Sequence, residues 1–407
     1  MFGFSRLYKI TAADLIVRTA YQMGKTPLLP IFAASLGANA TFLGLIVSVS
    51  TITGMLLKPI FGLLSDRWGR WIWLFVGTII FSGIPFLYHW TSTPEELLIL
   101  RLIHGLSTAI YGPVTVAFVI ESCRGSGVID NNCAERLGWF GIARSGGYLL
   151  GPTITAFLLT EYAPQTIFTF IGIFSSCAFF PILLLKDYNP YSLKKTFKIH
   201  TKEAFFSGIK TPELWLAGSL ECIVYLGFFA SKTFLPLYAI ETGITIIWVG
   251  IFFSTQELIH LITRPLGGRL SDRFGYLLII ASGMLVAASS FGLLPMIDNP
   301  YTMLMLAITL GLSQSMIFPS TLALFSQKVD KQYVGTGIGM IGTFKNLGKV
   351  IGPLLGGLII HLHNYNWMFW SISILLFVWS LGLLLNSLNL KTDIRLDGSG
   401  KTISINV

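Results

Sequence analysis

Glu257, His260 and Arg264 fall at i, i+3 and i+7 in one long apolar run, and Asp14, Arg18 and Lys25 fall at i, i+4 and i+11 in another. Both spacings place the charges on one face of a helix. A poorly solvated carboxylate beside an imidazole is suited to carrying a proton, which makes Glu257 with His260 the first candidate pair. Asp14 and Glu221 are the other acids at comparable positions. Bases are more numerous. Lys58 and Arg264 each stand eight residues before an aspartate, Asp66 and Asp272, which is about 12 Å along a helix. Arg144 and Lys345 sit at matching places in two related runs, Lys25 and Lys232 lie near the middle of theirs, and Arg18, Arg101 and Lys349 add to the set. Some charges can pair off, Asp14 with Arg18 and Lys232 with Glu257 being the obvious couples. The bases still exceed the acids, and an excess of buried positive charge points to an anionic or zwitterionic cargo. Tyr21 and Tyr148 are the aromatic candidates for the wall of such a cavity, with Tyr111, Tyr225 and Phe318 further possibilities.

The elements that must hold these groups are apolar. Hydrophobic residues make up 53% of the 407-residue chain and charged residues 12%, half the share in soluble domains; the mean hydropathy is +0.71. Runs long enough to cross a bilayer as a helix occupy 12–35, 42–65, 71–90, 96–121, 136–160, 164–186, 212–239, 246–269, 275–296, 300–326, 333–360 and 366–389. This predicts an all-α membrane protein of twelve spans. The first run follows a basic stub, Arg6 and Lys9, without a small-residue cleavage site, and is read as a span.

The net charge of +9 follows the same plan and does not indicate nucleic acid. Every second connection lacks Lys and Arg; the others carry Arg67 and Arg70, Arg124 and Arg136, a lysine group from Lys194 to Lys210, Arg269 and Arg273, and Lys328 and Lys331. The positive-inside rule then puts both termini in the cytoplasm of a multi-pass inner-membrane protein. The four cysteines fit no zinc spacing, and no metal site or cofactor is expected. A lone Glu–His couple is too little for an enzyme.

The chain repeats itself. KPIFGLLSDRWGR (58–70) returns 206 positions later as RPLGGRLSDRFGY (264–276), and the same offset aligns Pro30 with Pro236, Gly37 with Gly243 and Gly105 with Gly311. GIARSGGYLLGP (141–152) aligns with GTFKNLGKVIGP (342–353) after a five-residue slip, so Gly151–Pro152 matches Gly352–Pro353. Long similarity at fixed offset implies a duplicated unit. The units are parallel, with an N-terminal six-helix bundle over 1–186, a basic linker over 187–211, a C-terminal bundle over 212–390 and a tail over 391–407. Glycines four residues apart in the Gly-Pro segments predict close helix seams, the prolines predict kinks, and Gly62 and Gly69 are expected to permit close approach and a tight turn. GTGIGMIG (335–342) mimics a dinucleotide loop but lacks the strand before it.

GLLSDRWGRW (62–71) resembles the signature loop of the major facilitator superfamily, and GGRLSDRFG (267–275) is its second copy. RLIHGLSTA (101–109), GGYLLGP (146–152) and MGKTPLLPIFAASLG (23–37) resemble further motifs of its twelve-span drug:proton antiporter branch. The resemblance implies two bundles around a central cavity that opens alternately to either side, energised by the proton gradient. It also implies a cytoplasmic gate of Asp66, Arg67 and Arg70 with Glu121 and Arg136, repeated as Asp272 and Arg273, where Tyr276 replaces a second base. The expected function is proton-coupled export of a small anionic, zwitterionic or metal-chelating solute by a monomer in contact with the lipid bilayer. An importer, an anion exchanger and a multidrug pump for lipophilic compounds are the alternatives.

Overall fold

A computed structural model describes residues 2–122, 124–125, 128–129, 133–185, 212–328 and 334–392. The predicted linker (187–211) and most of the tail lie outside the described residues. In the first half of the chain the helices are α1 (Phe2–Lys25), α2 (Leu28–Ser35), α3 (Ala40–Trp68), α4 (Arg70–Leu87), α5 (Pro94–Ser122), α6 (Cys133–Glu161), α7 (Pro164–Ser176) and α8 (Phe179–Leu183). In the second half they are α9 (Pro212–Glu241), α10 (Ile246–Phe274), α11 (Tyr276–Leu293), α12 (Pro300–Lys328), α13 (Val334–Leu362) and α14 (Tyr365–Thr392). A two-residue antiparallel pair joins Arg124–Gly125 to Val128–Ile129 between α5 and α6.

Within the described residues each predicted run falls on helix, the run at 164–186 as the two pieces α7 and α8. The first run differs in detail: α1 begins at Phe2 and includes the basic stub, and the chain breaks at Thr26–Pro27 before α2. Among the described residues, nine helical stretches are long and apolar enough to cross a membrane. α1, α6 and α13 are not in that set. They carry Asp14, Arg18 and Lys25, then Arg144, then Lys345 and Lys349, the charges singled out above.

Turn chemistry fixes where the helices start and stop. On the face away from the N-terminus, hereafter the far face, Asn39 caps α3 through a bond from the Phe42 amide at 2.9 Å, and Asn364 caps α14 through Trp367 at 3.0 Å. Thr93 and Glu96 exchange bonds with each other's amides at 3.3 Å to open α5, a capping box. On the near face, α3 turns into α4 at Gly69 and α10 into α11 at Gly275, with φ of +92° and +97°. A side chain rarely tolerates that conformation, which accounts for the glycine in both copies of the loop. Gly62 has open space around it, so the expected close approach at that residue does not occur.

The Gly-Pro helices hold the assembly together. Gly147 and Gly151 of α6 let it lie directly on α1 at Arg18–Thr19 and Gln22–Met23; Gly348 and Gly352 of α13 do the same on α9 at Cys222 and Leu226. The same helices also join the halves. Gly44 of α3 meets the Pro353 carbonyl of α13, and Gly250 of α10 meets the Pro152 carbonyl of α6. Ser48 donates to the Val350 carbonyl at 2.8 Å, and Ser254 donates to the Leu149 carbonyl at 2.5 Å. Gly44 and Ser48 map onto Gly250 and Ser254 at the 206 offset, so one seam is built twice. Pro152 and Pro353 lie inside helices that run unbroken through them.

Candidate functional site

A cavity of about 590 Å³ lies between the halves, on the near-face side of both seams. α1, α3, α5, α6, α9 and α13 all reach it. Among the described residues its lining includes six bases, Arg18, Lys25, Lys58, Arg144, Lys232 and Lys349, and no carboxylate. Tyr21, Tyr148 and Phe229 supply aromatic wall. Of the eight cavity residues expected from the sequence, Lys25, Lys58, Arg144, Lys232, Tyr21 and Tyr148 line it. Arg264 and Lys345 do not; Arg264 is exposed and Lys345 packs behind the wall.

The guanidiniums and the lysines behave differently. Arg144 donates to Asp14 from Nε at 3.0 Å and Nη2 at 3.1 Å, and to Thr115 Oγ1 at 2.9 Å. Arg18 lies 3.7 Å from the same carboxylate. Asp14 is 1% exposed, so its charge is held by two guanidiniums. The expected Asp14–Arg18 couple is present, but Arg144 takes the stronger share, and its charge is thereby compensated. The lysines have no such partner. Among the described residues no carboxylate lies within 4.0 Å of Lys25, Lys58, Lys232, Lys345 or Lys349. All but Lys58 rest on rings: Lys345 is 4.5 Å from the Tyr225 ring centre and Lys349 is 5.1 Å from it. The expected Lys232–Glu257 couple is therefore an electrostatic neighbourhood and not a contact pair.

Glu257 faces Lys232, Lys345 and Arg264, and His260 packs edge-on against Phe318 with centroids 5.6 Å apart. Glu221 accepts a bond from Thr321 Oγ1 at 2.6 Å, and its second oxygen is buried without a partner. These acids belong to the second half, behind the cavity wall formed by α9 and α13.

A comparison of the whole sequence with protein-family models matches the Major Facilitator Superfamily over residues 20–348 and again over 217–398. The chain belongs to the major facilitator superfamily. It is therefore a membrane transporter and not an enzyme. The chain is 25% identical to multidrug resistance protein 1 of Bacillus subtilis over 86% of its own length and 88% of that protein. It is 27% identical to the multi-drug resistance efflux pump PmrA of Streptococcus pneumoniae over the same shares, and 23% identical to the quinolone resistance protein NorA of Staphylococcus aureus over 83% and 85%. Among solved structures it superposes on the nucleoside transporter NupG with a TM-score of 0.76 at 12% identity, covering 93% of this chain and 98% of that one. A variant of the peptide transporter POT solved with sulfate gives 0.75 at 13% identity, covering 94% of each chain. These similarities bear out the motif resemblance and place this superfamily member in the cell membrane.

The superfamily's loop signature is built around Arg70. Its guanidinium contacts Asp66 at 2.5 Å, Glu121 at 2.8 Å and Ser65 Oγ at 2.6 Å, a knot closed within the first half. Asp66 thus pairs within its own turn. Arg67 is exposed, and Arg136 is half-buried at the start of α6. In the second copy Asp272 and Arg273 are exposed, and Tyr276 donates a single bond to Asp272 at 2.9 Å.

Sequence reasoning passed over Phe229, Thr115 and Thr321. Phe229 was findable: it stands four residues after Tyr225 and three before Lys232, one helical face. Thr115 and Thr321 are 206 positions apart, and each touches the acid–base group of its own half.

Proposed function

We propose that the protein is a proton-coupled exporter with twelve spans in two pseudo-symmetric six-helix bundles, both termini cytoplasmic, that moves a small anionic or zwitterionic solute by alternating access. The observation that carries the substrate reading is a cavity whose lining, among the described residues, holds six bases and no carboxylate. Burying unpaired cations is costly, and a negatively charged solute removes that cost. The near face is the cytoplasmic one, so closed far-face seams with the cavity on their near side describe an inward-facing state. The proton gradient supplies energy, and no cofactor takes part. The transporter works as a monomer, because one chain contains both rocking units.

Glu257 with His260 carries the coupling proton, with Glu221 as the second acid of the same region. Asp14 is the weakest of the four candidates, since Arg144 and Arg18 already engage its carboxylate in the tie between α1 and α6. In proteoliposomes, Glu257→Gln is expected to retain solute binding and lose transport driven by a pH gradient. Undiminished proton-driven flux in that variant removes Glu257 from the mechanism.

The names of the bacterial relatives favour a second reading, efflux of lipophilic drugs, for which Tyr21, Tyr148 and Phe229 supply aromatic wall. A thermal-shift screen separates the two. Stabilisation by anionic and zwitterionic compounds supports the first reading, and stabilisation by lipophilic cations alone supports the second.

A further inference from the structure

Three lysines from three helices converge on one phenyl ring. The ammonium of Lys25 (α1) lies 4.9 Å from the Phe229 ring centre, that of Lys349 (α13) 5.1 Å and that of Lys232 (α9) 5.7 Å. All four residues line the cavity. A ring face attracts a cation, but one neutral ring cannot offset three charges gathered around it. No carboxylate among the described residues lies within 4.0 Å of any of them. The two arginines of the lining differ, because Asp14 engages both. Three of the four lining lysines without a carboxylate partner therefore gather at Phe229, Lys58 being the fourth. The three are also divided between the halves of the chain: Lys25 comes from the first, Lys232 and Lys349 from the second.

We propose that the lysine cluster at Phe229 is the binding site for an organic dianion, a dicarboxylate or a phosphomonoester, which bridges the two halves. This rests on the reading that the cargo is anionic, and narrows it. One carboxylate leaves the cluster with a net charge of two, whereas a dianion leaves one and gives each half an ionic contact. A phosphate or a pair of carboxylates also offers enough acceptor oxygens for three ammonium groups, each a compact point charge. A cavity of about 590 Å³ falls within the range that holds ordinary small molecules. Tyr21 and Tyr148 are available beside the cluster for an aromatic body: Lys25 lies 5.6 Å from the Tyr21 ring, and Lys232 lies 5.8 Å from that of Tyr148.

The test uses the full-length protein, purified in detergent, with matched probes: phthalate, phenyl phosphate, benzoate, benzamide and tetraphenylphosphonium. Phthalate and phenyl phosphate are expected to bind about tenfold or more tightly than benzoate, and benzamide not measurably. Lys25→Gln, Lys232→Gln and Lys349→Gln should each lower phthalate affinity about tenfold and benzoate affinity less. The corresponding Lys→Arg variants should keep the preference for the dianion. A measurement on the unaltered protein guards against variants that do not fold: sulfate should displace phthalate, while chloride at equal ionic strength should not. Equal affinity for benzoate and phthalate, both lost in the Gln variants, overturns the dianion proposal and leaves the anionic cavity standing. Binding of tetraphenylphosphonium alone overturns both. Phthalate binding that survives all three Gln substitutions, or that sulfate fails to displace, overturns the assignment of the site.

Discussion

Asp14, Arg144 and Thr115 in the first half of the chain have counterparts in Glu221, Lys345 and Thr321 in the second. The threonines are 206 positions apart, the bases 201 and the acids 207. In the first set the guanidinium grips the carboxylate with two bonds, at 3.0 and 3.1 Å, and the threonine with a third at 2.9 Å. In the second the threonine holds the acid at 2.6 Å, and the base turns away onto the Tyr225 ring at 4.5 Å. The residue classes are the same and the outcomes opposite. A planar guanidinium matches a carboxylate edge to edge, whereas an ammonium is a point charge that can settle on a ring. The first half holds a closed lock, and the second leaves an acid and a base free to change partners. That asymmetry accords with the proposal that the coupling proton is carried by the second half.

The sharpest way to break the comparison is to neutralise each acid. Asp14→Asn removes the carboxylate from two half-buried guanidiniums and is expected to cost about 1.5–3 kcal/mol in thermal unfolding, against roughly 1 kcal/mol for Glu221→Gln, whose base is already unpaired. Equal losses would mean that the second group is as structural as the first. Next come the glycines. Gly44→Val forces α3 off the Pro353 carbonyl and should cost about 1–3 kcal/mol, while Gly62→Ala, facing open space, should stay within about 0.5 kcal/mol. In the two loop copies, Arg70→Gln breaks a partly buried pair with Glu121 and should cost about 1.5–3 kcal/mol, whereas Tyr276→Phe removes one solvent-screened bond to the Asp272 carboxylate and should cost about 0.5 kcal/mol. The smallest effect tests where the halves are alike: with Thr153→Val as the common background, since Thr153 Oγ1 also donates to Ser254 at 2.7 Å, Ser48→Ala and Ser254→Ala should each lower stability by about 0.5–1.5 kcal/mol, and by the same amount. A clear difference between those two would show that the seams are not equivalent.

Much of the fold was legible because its signals are local. Apolar runs, the two copies of the loop and the glycines at Gly69 and Gly275 each state their own structure. Lys25, Lys58 and Lys232 were legible as cavity residues for a related reason: a base near the middle of an apolar run has few places to go. Pairing was not legible. Arg144 reads as a free cavity base until α6 is laid on α1, which brings Asp14 to it across 130 positions. Gly62 was misread because the turn geometry needs only Gly69, and nothing local distinguishes a packed glycine from a solvated one. Lys349 lies one helical turn beyond Lys345, yet the cavity takes Lys349 and leaves Lys345 behind its wall. That choice depends on how α13 is rotated, which the pattern of one helix does not fix.

The double attachment of α6 has a mechanical consequence. Pro152 touches the opposite half, and Arg144 stands eight residues along the same rod, a lever arm of about 12 Å. Swinging that rod by about 10° around the proline would sweep the guanidinium through about 2 Å, enough to part the Asp14 couple. Prising the far-face seam apart and freeing the Arg144 guanidinium of the central chamber from its carboxylate are then a single stroke.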